Sequence, residues 1–327
     1  MIRAAAALAL TGRYGPLGRQ AAAGLGAWAD ARGVRLRVED DRSDAARSAR
    51  LTTSLAGSAD LLFGPYGSGA GRAVAAAMAG RREVVWNHGA AAVDRTGARL
   101  VDVLGPADSY WRGLPDALAA SGAGAPRTAR VRAPGGFGAA VAAGAGRALA
   151  AAGMPPVLVC DLDPAAPERA VQRALAAGAG WVVGGGRMED DLALARAAAS
   201  AGLAGALVVC GVDALGRELG ARAAGWLGPV QWDGTASGPV APPRGSDYPA
   251  AQAVAAGCIA ERALAAAGTA DPDVLWDAAR ALRTTTLIGP FAVDDEGRQT
   301  AHAPAIARWG RGPGGMARTI IWRPPPA

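Results

Sequence analysis

Short apolar runs alternate with longer Ala/Leu/Arg stretches along the whole chain, and this alternation limits the fold more than any single motif. Runs at 2–10, 34–38, 60–63, 83–86 and 100–104 read as strands, with helices predicted at 17–31, 44–56 and 68–79. Ser43, just before Asp44, reads as an N-cap. Strands joined through helices of that length pair in parallel, as βαβ units. The rhythm then restarts, with strands at 127–132, 156–160, 180–183 and 206–210 and helices at 137–152, 167–177, 189–201 and 213–224. A chain of 327 residues is long enough for two such cores. The expected class is α/β, with two doubly wound lobes.

A Gly/Pro-rich segment, 234–249, offers few core residues and reads as a connection. Helices follow at 250–267 and 273–282. The tail has β-like pieces at 290–293, 306–309 and 317–322, a turn at 294–297, and an extended terminus, "PPPA".

Composition excludes several classes of function. The net charge of +6 and pI near 10.0 come entirely from arginine, scattered among acidic residues without interleaved aromatics, so nucleic acid is not an expected partner. Cys160, Cys210 and Cys258 form no CxxC pair and no zinc spacing, and read as buried free thiols, the first two on strands and the third on a helix. His88 and His302 lie far apart in the chain, so no metal site and no cofactor are expected. No apolar run reaches the ~18 residues that span a membrane. The apolar run 4–10 is too short for a signal peptide and reads as the first strand. A leader removed ahead of Met1 gives an extracytoplasmic protein; Met1 as native start gives a cytoplasmic one.

The stretch "GPYGSGAG", 64–71, turns from the third strand into a helix. It is not a P-loop, because the lysine position counted from Gly64 falls on Ala70. It is not a dinucleotide fingerprint either, because Arg72 stands where the third glycine belongs. What remains is a helix N-terminus with unpaired N–H groups and the hydroxyl of Ser68 at its lip, a setting that suits a carboxylate as well as a phosphate. The next strand ends in a similar small polar turn, "NHGAA", 87–91. In parallel sheets, ligands bind beyond the carboxyl ends of the strands.

The stretches "LALTGRYGPLGRQAAAGLGAWADARG" (8–33), "VEDDRSDAARSARLTTSLAG" (38–57), "LLFGPYGSGAGRAVAAAMA" (61–79), "DYPAAQAVAAGCIAERALAAAGTADPDVLWDAARAL" (247–282) and "TLIGPFAVDDEGRQT" (286–300) resemble type I periplasmic solute-binding proteins, closest to the leucine/isoleucine/valine-binding branch. The resemblance implies two Rossmann-like lobes joined by a three-stranded hinge, the first lobe from 1–105 and 236–288 and the second from 106–235 and 289–327. It implies that Ser68 holds a ligand carboxylate together with the N–H of Ala91, where the family's Thr hydroxyl is missing. It implies an ammonium site at the Gly89 carbonyl and Asp213, and ligand cover from Phe137 and Arg187, the arginine replacing a usual aromatic. Tyr14, Tyr66 and Trp86 are candidates for the side-chain pocket, and His88 for the turn beside it.

The reading is a non-enzymatic solute-binding protein that closes two lobes on a small amino-acid-like or other carboxylated ligand, which an ABC importer's permease takes from the closed form. No Ser-His-Asp set or acid–base pair of carboxylates stands out. The alternative keeps the fold but makes the protein a cytosolic amide or amino-acid sensor that controls a regulatory partner.

Overall fold

The computed structural model describes residues 1–94, 97–122 and 126–325. They form two compact units, residues 1–106 with 232–302, and residues 107–231 with 303–325.

The first unit opens with β1 (Arg3–Leu8), α1 (Gly15–Arg32), β2 (Arg35–Asp40), α2 (Ala45–Ala56), β3 (Leu61–Phe63), α3 (Ser68–Met78), β4 (Val85–Asn87) and β5 (Leu100–Asp102). The five strands make one parallel sheet in the order β2-β1-β3-β4-β5. Strand alternation sends Ala4, Ala6, Leu8, Phe63, Trp86 and Val101 to one face, and Ala5, Ala7, Leu62, Val85 and Leu100 to the other. The second face packs on Leu55 of α2 and Val74 and Met78 of α3.

The second unit follows with α4 (Leu114–Ala120), β6 (Thr128–Arg132), α5 (Gly135–Ala151), β7 (Leu158–Asp161), α6 (Pro167–Ala176), β8 (Trp181–Gly185), α7 (Met188–Ser200), β9 (Ala204–Leu207), α8 (Ala214–Leu219) and β10 (Leu227–Val230). The chain returns to the first unit with α9 (Tyr248–Ala267), α10 (Pro272–Ala281) and the small hairpin β11 (Thr284–Thr286) and β12 (Gly289–Phe291). It ends in the second unit with β13 (Ala305–Gly312) and β14 (Gly315–Trp322), an antiparallel pair on a seven-stranded sheet of order β14-β13-β10-β9-β8-β6-β7.

Helix α9 completes the first core, with Val254, Ala255, Cys258 and Ile259 in the cluster that holds Phe63 and Trp86. It lies against α1 so closely that a Cβ on Gly24 would come within 2.3 Å of the Ala250 carbonyl oxygen, and one on Gly257 within 2.3 Å of Trp28. Among the described residues no single helix is long and apolar enough to cross a membrane. All three cysteines are free and buried.

Four expectations need correction. Residues 289–302 lie in the first unit, not the second: β12 pairs with β11, and the Gln299 amide donates to the Val103 carbonyl at 3.2 Å. The strand expected over 206–210 stops at Leu207 and passes into a 3-10 turn over Val208–Gly211, which carries Cys210. There the Val209 N–H leaves the ladder for the Asp191 carboxylate, 3.1 Å away. The helix expected over 213–224 is shorter, because Gly220 at φ 52° breaks it into α8 and a 3-10 turn. Finally, Ser43 is not the cap of α2. Asp44 is, accepting from the Arg47 N–H at 2.5 Å, while Arg42 and Ser43 both adopt left-handed backbone at φ 58° and 59°. Such a conformation costs an L-residue about 1–2 kcal/mol.

Candidate functional site

In the first unit, the loops beyond the carboxyl ends of β1, β3 and β4 carry Tyr14, Tyr66, Ser68, Gly89 and Ala91. The β3–α3 and β4 turns are tied together by an isolated bridge between Tyr66 and Gly89 and by the Gly67 N–H, which donates to the Gly89 carbonyl at 2.8 Å. Gly67 is the N-cap of α3 at φ 92°, a conformation suited to glycine. Ser68 begins the helix, so the N–H groups of its first turn point outward without helical partners.

Asn87 organises the second turn. Its side-chain oxygen accepts from Gly89 N–H at 3.3 Å and Ala90 N–H at 2.9 Å, and its amide donates to the Ala90 carbonyl at 2.8 Å and to the buried Asp102 carboxylate at 2.7 Å. The Ala92 N–H donates to the Ser68 hydroxyl oxygen at 3.2 Å. Three of the four N–H groups over 89–92 are thereby satisfied, and the half-buried N–H of Ala91 is left without a partner among the described residues. Because the Ser68 oxygen acts as acceptor there, its proton is available to donate elsewhere. A hydroxyl proton, the Ala91 N–H and a helix N-terminus together suit an anion.

Aromatic rings border this anchor. The Tyr14 ring lies so near Gly67 that a Cβ there would stand 3.3 Å from it. Tyr14 and Tyr66 are 6.2 Å apart between centroids, and the Arg13 guanidinium lies 5.6 Å over the Tyr14 ring. Tyr248, at the start of α9, shares a 2.8 Å hydrogen bond between its hydroxyl and that of Tyr66. Burial raises the Tyr248 phenol above its ordinary range, against the Tyr66 hydrogen bond. Nothing in the local sequence of Tyr248 signals this contact, which spans 182 positions.

Trp86 and His88 do not share that setting. Trp86 is fully buried in the core beside α9, because its strand position faces the same side as Phe63 and Leu8. His88 is likewise inaccessible, neither ring nitrogen has a hydrogen-bond partner among the described residues, and burial pushes its pKa down to about 4.

In the second unit, Phe137, Arg187 and Asp213 follow β6, β8 and β9, so all three lie at the carboxyl edge of that sheet. Phe137 meets Tyr110 edge-on at 5.8 Å between centroids. Arg187, the N-cap of α7, is exposed and has no ion-pair partner among the described residues. Asp213 is already paired: the Arg318 guanidinium lies 2.7 Å from its carboxylate and also donates to the Gly211 carbonyl. Asp191, which sequence reasoning passed over, is buried between the two loops. One oxygen accepts from Val209, and the other lies 3.4 Å from where a Cβ on Gly186 would stand. Burial raises its pKa to about 7, against hydrogen bonds from the Val209 and Gly186 N–H groups. Among the described residues no group of three or more His, Cys, Asp or Glu is placed to hold a metal ion.

The family model described as periplasmic binding protein matches residues 1–314. The chain belongs to this family. It is a binding protein, not an enzyme. No curated protein matches it. Among solved structures it is similar to a solute-binding protein of an R. palustris ABC transporter in complex with 4-hydroxybenzoate, at TM-score 0.79 and 16% identity over 98% of this chain and 96% of that one. It is similar to the leucine binding protein LivK of Thermotoga maritima, at TM-score 0.80 and 15% identity over 99% of both chains. A second R. palustris solute-binding protein, in complex with benzoate, gives TM-score 0.75 and 17% identity over 98% and 96%. Likeness at these identities establishes the type I periplasmic binding fold.

Proposed function

We propose that this periplasmic binding protein holds a small carboxylated solute by its carboxylate, between the Ser68 hydroxyl, the Ala91 N–H and the N-terminus of α3, and delivers it outside the cytoplasm to an ABC permease. The observation that carries this is the turn over 89–92, where Asn87 and Ser68 satisfy three N–H groups and leave that of Ala91 for a ligand. The similar solved proteins bind 4-hydroxybenzoate, benzoate or leucine, all carboxylates, which supports the class.

An acid without an α-ammonium group fits these residues better than an amino acid. Asp213, the implied ammonium partner, is matched by Arg318, and the Gly89 carbonyl already accepts from Gly67. Tyr14, half-buried, and the buried Tyr66 place aromatic rings beside the anchor.

Calorimetry with benzoate, 4-hydroxybenzoate and leucine tests the reading. A charge-assisted hydrogen bond contributes about 1.5–3 kcal/mol, so Ser68→Ala should weaken benzoate binding about tenfold or more. Affinity equal to the parent protein's would remove the anchor from the proposal, and tighter binding of leucine than of either benzoate would return the ligand to the amino acids.

A further inference from the structure

Ser43 and Arg42 are the non-glycine residues with positive φ among the described residues, and they are adjacent. Two consecutive left-handed residues persist only where surrounding structure holds them. Here the β2–α2 turn is latched onto the β1–α1 loop. The Asp40 carboxylate accepts from the N–H groups of Leu10 at 3.0 Å, Thr11 at 3.2 Å and Arg42 at 2.8 Å, and from the Thr11 hydroxyl at 2.7 Å. Burial opposes ionisation of Asp40, but these donors outweigh it and hold its carboxyl below the ordinary range. Asp41 accepts from the Ser43 N–H at 2.8 Å. Gly12 makes the approach possible, since a Cβ there would lie 2.6 Å from the Arg42 carbonyl oxygen.

The Ser43 hydroxyl is what the latch delivers. It donates to the Thr11 carbonyl at 2.7 Å and accepts from the Tyr14 N–H at 3.0 Å. Tyr14 is the N-cap residue of α1, and its ring rests against Gly67, the residue before Ser68. Asp44 caps α2, so the helix that follows does not require the Ser43 hydroxyl.

We propose that Ser43 is a positioning residue: its hydroxyl fixes the backbone of Tyr14, holds the Tyr14 ring at the lip of the Ser68 anchor, and so sets the affinity for an aromatic acid. This rests on the carboxylate reading above. Arg42 makes the decisive control. Arg42→Gly relaxes one left-handed residue and keeps the hydroxyl, whereas Ser43→Gly relaxes the other and removes it.

Hydrogen–deuterium exchange over residues 10–18 and benzoate calorimetry are measured on the full chain for both variants and Ser68→Ala. Ser43→Gly should exchange faster across this segment and bind benzoate about fivefold more weakly, the equivalent of one lost hydrogen bond. Arg42→Gly should match the parent protein in both. Equal exchange in the two glycine variants overturns the latch. Faster exchange in Ser43→Gly with unchanged benzoate affinity, while Ser68→Ala is weakened, overturns the positioning role. Unchanged affinity in Ser68→Ala sinks the carboxylate reading instead, a parent protein that does not bind benzoate overturns the role in aromatic-acid affinity, and in either case exchange decides the latch.

Discussion

Beyond the carboxyl ends of β3 and β4, the Ser68 hydroxyl is held in place by the Ala92 N–H and the Ala91 N–H has no partner among the described residues. Beyond β6, β8 and β9, by contrast, Asp213 is matched by Arg318 and Arg187 stands in water. On the proposed reading, the first edge binds an anion without rearranging, because neighbouring side chains already fix its turn. The second offers groups that water or a neighbour already stabilises, so a ligand there gains only the difference. Affinity should therefore reside in the first edge.

Each unit also buries a group whose pKa is strongly shifted, in opposite directions, and this gives the largest effect. Asp191 titrates near 7 in the folded protein, well above its ordinary range. The folded state retains a proton that the unfolded chain has released, so stability is full below pH ~4 and declines as pH rises to about 7. The shift corresponds to about 4 kcal/mol. Chemical denaturation of Asp191→Asn across pH 4–8 should show that decline removed; an identical decline in the variant would place its source elsewhere.

His88 has the opposite sign. Its folded pKa of about 4 lies below the ordinary value, so stability is full above pH ~6.5 and falls as pH drops to about 4. The loss is about 3 kcal/mol. His88→Gln should flatten that acid limb while leaving the Asp191 limb intact. If both limbs responded to either substitution, the contrast between units would fail.

Smaller effects sharpen the account of the first edge. Tyr248→Phe removes the hydrogen bond to Tyr66 and should cost about 1 kcal/mol in thermal unfolding. The smallest effect is expected from Asp213→Asn, since exposed ion pairs contribute about 0–1 kcal/mol. Benzoate affinity should barely change, and a tenfold loss by calorimetry would promote Asp213 to the anchor.

The alternation of apolar and Ala-rich stretches made the parallel strands of both sheets legible, because buried parallel strands are apolar on both faces. One short strand holding Gly and Pro was not legible: β10 reads Leu-Gly-Pro-Val, and its glycine packs against the backbone at Cys210. The strand ending at Leu207 appeared longer because Val208 and Val209 remain apolar after the ladder stops. In the site, Ser68 and the small turn after β4 announced themselves as a hydroxyl at a helix start and a polar turn beside it. The capture of Asp213 by Arg318 and the latch through Ser43 depend on pairs 105 and 29 positions apart. A Ser-Asp pair before a helix invites the reading that the serine caps it, and only the backbone angles show that the aspartate does.

The placement of α9 governs how the polypeptide can fold as it is made. The first sheet and α1 are complete in sequence by residue 106, yet the helix that covers Phe63, Trp86 and Trp28 ends at residue 267. The interval of 161 residues (267 − 106) takes about 8–32 s to synthesise at about 5–20 residues per second. Until α9 is made the apolar face of α1 and its sheet lacks that cover, while the second unit's strands β6 to β10 are synthesised within the same interval. The nascent chain thus carries a sticky, half-built N-terminal layer while a later layer can already collapse, a window in which a holding chaperone has something to grip.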